Sequence, residues 1–144
     1  MEPSPGVVKR LLRNLYHPVA LRRDPIANAI RAGRGHAPAT RIFDESDVQL
    51  VQRLILTWVT LLDAEQRTRR GESHRKRQRV IIEQYDVAGQ PRASVASDLG
   101  ISLRQFYRER RVALERLVDI INDEFSRAQP APSFEDGASF GRAV

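Results

Sequence analysis

Leu103-Arg104-Gln105-Phe106-Tyr107-Arg108-Glu109-Arg110-Arg111 sets four arginines and a glutamine within nine residues. These side chains suit the edges of nucleic-acid bases. A guanidinium can hold guanine through two hydrogen bonds, and a glutamine amide can do the same with adenine. A good pair of this kind discriminates by roughly 1–3 kcal/mol. Tyr107 can lie against a thymine methyl or a phosphate. On a helix, Phe106, Ala113, Leu114, Leu117 and Ile121 form an inward stripe. Leu103, Arg104, Gln105, Tyr107, Arg108 and Arg111 then fall on the other side or at the N-terminal tip. The positive end of a helix favours acidic side chains by roughly 0.3–1 kcal/mol each. Arg104 therefore works against local stability unless a partner anion offsets it. The plainer alternative is a charged outer helix on a small bundle.

Such a helix needs a device to present it. The preceding Pro91-Arg-Ala-Ser-Val-Ala-Ser-Asp-Leu99 reads as a short helix, with Val95 and Leu99 on one face and small Ala96 allowing close approach. Gly100 stands where the chain must turn sharply, a place for a left-handed backbone. Ile101 can fill the gap between the two helices. Ser102 caps the second helix, and Ser102-x-x-Gln105 has the form of a capping box. The pattern is that of a helix-turn-helix, whose second helix enters the major groove tip first.

A second basic cluster leads into this unit. Arg67 to Arg79 has seven Lys or Arg in thirteen residues. Arg75, Lys76, Arg77 and Arg79 are expected to hold phosphates along the backbone while the later helix reads bases. Each neutralised phosphate steepens the salt dependence of binding by about 0.9 in log–log slope. A solvated loop is the alternative for this segment. The net charge is +6, and the excess is localised: residues 67–116 carry 13 basic against 6 acidic side chains, whereas residues 117–144 carry 2 against 5. A localised basic face suits a polyanion.

Val95-Ala-Ser-Asp-Leu-Gly-Ile-Ser-Leu-Arg-Gln-Phe-Tyr-Arg-Glu-Arg-Arg-Val-Ala-Leu-Glu-Arg-Leu117 resembles region 4 of bacterial sigma factors and its stand-alone relatives, including small phage-type late-transcription regulators. The resemblance covers about residues 75–121, roughly a third of the chain. It implies a DNA-facing role for Leu103, Arg104, Gln105, Tyr107 and Arg108, and RNA polymerase as a second partner. Two departures stand out. Glu109-Arg110 occupies a place where that family usually has an apolar residue. Nothing in residues 1–70 looks like a promoter-melting region, so a complete sigma factor is not expected.

The remaining chain reads as a platform. Residues 1–6 look like a loose leader, followed by a helix carrying Val8, Leu11, Leu12 and Leu15. His17-Pro18 should end it, and Asp24-Pro25 should open another. Asp44, Ser46 and Asp47 offer N-caps for a central helix over Val48–Arg70, whose stripe runs through Val51, Leu54, Ile55, Trp58, Leu61 and Leu62. That stripe serves either a core or a homodimer seam. Gly71 should break the chain, with a further helix over Arg75–Val87. The expected fold is all-α, of five or six helices: an N-terminal helical region (1–70), the helix-turn-helix (75–125) and a disordered tail (126–144).

The same sequence argues against other classes. It contains no cysteine, which excludes disulfides and thiolate metal sites and fits a reducing, cytoplasmic setting. His17, His36 and His74 fall into no ligand spacing. No run of about eighteen apolar residues is present, so no membrane partner is expected. No nucleophile-elbow or phosphate-loop motif occurs; catalytic, metal and cofactor sites are all expected to be absent. The expectation is a transcriptional regulator binding double-stranded DNA. The alternatives are a protein-interaction adaptor and a phage packaging or recombination accessory.

Overall fold

The computed structural model describes residues 3–33, 43–63 and 69–128. Within these the chain is helical and has no strand. The first three helices each open on a proline: α1 (Pro5–Arg13), α2 (Pro18–Arg23) and α3 (Pro25–Gly33). Proline has a helical φ and lacks the N–H that a first-turn residue could not use anyway. Ser4 caps α1 by accepting from the Val7 amide at 3.3 Å. Asp24 caps α3 through the Ile26 amide at 2.8 Å. The leader expected over residues 1–6 is thus in part the start of α1, and Pro3 is buried. As expected the first helix ends before His17-Pro18, at Arg13 with a turn over 14–16, and Pro18 also begins α2. The described residues hold seven α-helices rather than five or six, and α2 is the addition.

The fourth helix, α4 (Glu45–Thr60), starts on a reciprocal capping box. Asp44 accepts from the Asp47 amide and Asp47 from the Asp44 amide, both at 3.0 Å. The helix tightens into a 3₁₀ turn over Leu61–Asp63, so it stops short of the expected Arg70. The fifth helix, α5 (Arg69–Ile81), runs through Gly71. An interior glycine costs a helix about 1 kcal/mol, which packing along the later part of α5 can outweigh. Over Ile82–Val87 the helix widens into a π segment. The sixth and seventh helices, α6 (Arg92–Leu99) and α7 (Leu103–Ala128), follow. The expected tail lies outside the described residues from 129 onward; residues 126–128 belong to α7.

Two apolar clusters divide the interior. The larger joins Val8, Leu11 and Leu12 of α1 and Leu15 of the turn after it with Ile26 and Ile30 of α3 and with Val48, Val51, Ile55, Trp58 and Val59 of α4. Ala113, Leu114, Leu117 and Ile121 of α7 complete it. Trp58 is buried, with Phe125 edge-on at 6.3 Å between ring centroids. Gln52 donates to the Leu15 carbonyl at 3.0 Å and fixes the turn after α1 against α4. The smaller cluster is Ile81, Val95, Ala96 and Phe106, with Tyr85, Leu99 and Ile101 at its edge. The 26 residues of α7 pass through both. No described helix is long and apolar enough to cross a membrane.

Candidate nucleic-acid interface

The turn between α6 and α7 is tightly specified. Gly100 has φ +68° and ψ +33°. A Cβ there would meet nothing within 4 Å, so backbone conformation, not space, calls for glycine. The Ile101 amide bonds to the Ala96 carbonyl and the Gly100 amide to the Ser97 carbonyl, both at 3.0 Å. This is the Schellman pairing, and Ile101 packs in the same cluster as Ala96, as that motif prefers. The Ser102 hydroxyl then accepts from the Gln105 amide at 3.1 Å, forming the serine half of the expected capping box. Phe106 is the anchor. It is fully buried, Tyr85 meets it edge-on at 5.2 Å, and Tyr107 does so at 5.4 Å.

With Phe106 facing in, the neighbouring positions face out. Leu103 is 44 % exposed and Tyr107 45 %. Ser102, Arg104, Arg108 and Arg111 are exposed, and Gln105 is half-buried. Arg104, Arg108 and Arg111 follow i, i+4, i+7 spacing and share one stripe. None of the three has a hydrogen-bond or ion-pair partner among the described residues. The residues expected to read bases are therefore gathered on one accessible face.

The inward side of the same helix is polar as well, but closed. Glu109 is 6 % exposed and lies against α5. Its Oε2 accepts from Arg77 at 2.8 Å and lies 3.0 Å from His74 Nδ1; its Oε1 accepts from Gln78 at 3.4 Å. Gln78 also accepts from Arg116, which donates to the Leu62 carbonyl at 2.6 Å. One network thus fastens α7 to α5 and to the end of α4. Burial pushes the Glu109 carboxyl up, but hydrogen bonds from His74, Gln78 and Arg77 and the charge of His74 outweigh it. The net result lies below the usual value. Arg110 donates twice from Nε to Asp86, at 3.0 and 3.2 Å, and once from Nη2 at 2.6 Å. Its guanidinium also lies 4.9 Å from the Tyr85 ring centre. The bond to Asp86 raises the Arg110 pKa against the effect of burial.

The four α5 residues expected to hold phosphate are not alike. Lys76 is exposed. Arg77 is joined to Glu109, and Arg79 meets Asp63 at 3.0 Å and Glu83 at 3.5 Å. Arg75 is half-buried, and its charge, after burial itself, lowers the pKa of Arg116. Sequence reasoning found neither the network of His74 and Gln78 on Glu109 nor the Arg110–Asp86 pair. One signal was present: Glu109 interrupts the stripe through Phe106 and Ala113 at i+3 spacing, where an apolar residue would be ordinary.

Compared with protein-family models, curated proteins and solved structures, the chain matches none.

Proposed function

We propose that the chain binds double-stranded DNA sequence-specifically through α6 and α7 used as a helix-turn-helix, and regulates transcription by occupying its site. On this reading α7 enters the major groove with its Ser102 end first. Arg104, Gln105 and Arg108 meet base edges, while Tyr107 and Arg111 steady the contact. Lys76 adds a phosphate contact from α5. One observation carries the reading: a stripe of three arginines without a partner among the described residues stands at the exposed start of a helix anchored from behind by Phe106 and Glu109. Counter-ions and water satisfy such a stripe in the free protein, and phosphates and guanine edges would replace them in the complex. The transcriptional part rests on the resemblance to sigma region 4, and RNA polymerase would be the second partner.

Selection of bound duplexes from a random pool at physiological salt tests this. The expected result is enrichment of one short motif, with Arg104→Ala and Arg108→Ala each relaxing the choice at particular base pairs. Retained duplexes that stay random in sequence contradict it. Exposed Leu103 and Tyr107 beside the arginines also suit a protein partner. An adaptor of that kind would retain no duplex at physiological salt.

A further inference from the structure

The commitment of Arg77 and Arg79 to carboxylates of the chain leaves open which groups hold the DNA backbone. A cleft of about 380 Å³ lies where the end of α1 meets the turn before α6, lined by Arg13, His17, Gly89, Gln90, Asp86 and Arg110 among others. Arg13 stands in the last turn of α1, and His17 begins α2 without using its ring as a cap. Both side chains are exposed, and neither has a partner among the described residues. The carboxylate in the lining, Asp86, is engaged by Arg110 through three donor contacts. Its charge is thereby matched, and among the described residues Arg13 is left as the uncompensated cation of the cleft.

The walls are fixed. The Gln90 amide bonds to the Gln84 carbonyl and the Ala88 amide to the Glu83 carbonyl, both at 2.9 Å. Gly89 makes the turn with φ +75°. Pro91 follows, and Arg92, exposed and without a partner among the described residues, opens α6. When the second helix of such a unit lies in the groove, the first crosses the sugar–phosphate backbone. The start of α6 is then beside phosphates, and the cleft sits next to it.

We infer that this cleft, with Arg13 and His17 as donors, holds a backbone phosphodiester of the duplex. The contact lies outside the helix-turn-helix and makes the α1–α2 corner part of the DNA-binding surface. The inference rests on the duplex-binding reading above. A diester phosphate offers two unesterified oxygens, which a guanidinium and an imidazole N–H can meet from different sides.

The test compares wild type, Arg13→Ala, Arg13→Lys and His17→Gln on a selected duplex and a scrambled one between 50 and 200 mM salt. A parallel NMR titration uses inorganic phosphate. Arg13→Ala is expected to weaken both duplexes equally and to lower the log–log salt slope by about 0.9. Over that fourfold salt range the variant then loses roughly three-fold less affinity than wild type. Arg13→Lys restores most of the slope, and His17→Gln gives a smaller uniform loss. Phosphate is expected to shift the Gly89 and Gln90 amides in wild type and not in Arg13→Ala. Duplex binding with a slope unmoved by Arg13→Ala overturns the inference and leaves the α7 reading standing. Phosphate-dependent shifts in a wild-type protein that binds no duplex overturn the backbone as the source, and the duplex reading with it.

Discussion

Arg110 and Arg111 are neighbours in the chain and meet opposite surroundings. Arg110 turns toward the π segment, grips Asp86 and covers Tyr85. Arg111 turns outward, in line with Arg104 and Arg108, and faces water. The same division separates the two basic clusters. In α5, Arg77 and Arg79 end on Glu109 and Asp63, whereas the outer arginines of α7 end on nothing in the described chain. A guanidinium becomes available to a ligand through the helical face it occupies and the carboxylates opposite it, not through the local density of arginine. Density marked both clusters equally in the sequence; structure separates a fastening from a free surface.

Substitutions can break or sharpen that contrast. The largest effect is expected on the inward side, at Phe106. Phe106→Ala should lower unfolding stability by about 3–5 kcal/mol in urea titration, through lost burial and the cavity left behind. Trp58, the single tryptophan, reports on the larger cluster. Its emission should change little below the transition, because Phe106 belongs to the smaller one. A loss under 1 kcal/mol would mean that the small cluster does not hold α7 in place.

Glu109→Gln comes next. It removes the charge that joins His74, Arg77 and Gln78, and about 2 kcal/mol of stability should go with it. The effect carries a pH signature. The folded-state pKa lies below the ordinary 4.5, so the carboxylate's contribution is complete above about that pH. It is lost as pH falls through the lower folded value. The gap between wild type and Glu109→Gln should therefore be widest near neutral pH and narrow below about 4.5. A gap independent of pH would show that the carboxylate's charge is not what matters.

Smaller again is Gly100→Ala. A non-glycine residue held in the left-handed region costs about 1–2 kcal/mol, and no steric clash adds to it. Thermal melting that shifts far more than this would point to crowding at the turn. Outermost, Arg108→Ala and Arg111→Ala should each alter stability by no more than about 0.5 kcal/mol. A larger loss would mean that these side chains have partners within the fold.

Local signals carried much of this architecture. Gly100 and Ser102 mark the turn and cap because each solves a backbone problem that residues nearby in sequence create. Phe106, Ala113, Leu114, Leu117 and Ile121 mark the inward stripe because helical period alone decides which side they share; all five are buried. The failures have the opposite character. His17-Pro18 does follow the end of α1, but Pro18 also opens α2, and nothing local announced that short helix. Gly71 suggests a break on propensity alone, yet α5 continues through it. The partners of Arg77 and Arg110 lie 32 and 24 residues away in sequence. No local pattern shows that Glu109 and Asp86 will come to face them. The exposed arginines of α7 were legible for the converse reason: their positions follow from one helix and one anchor.

The claim at the centre is that the outward stripe of α7 discriminates between DNA sequences while the inward side only holds it there. The most direct measurement is the ratio of affinities for a selected and a scrambled duplex, taken for wild type and Arg108→Ala at one salt concentration, with melting temperatures measured alongside. The account predicts a ratio reduced about 5- to 150-fold in Arg108→Ala, the equivalent of about 1–3 kcal/mol, with the melting temperature unchanged. An unchanged ratio, or one that falls only in step with the melting temperature, would contradict it.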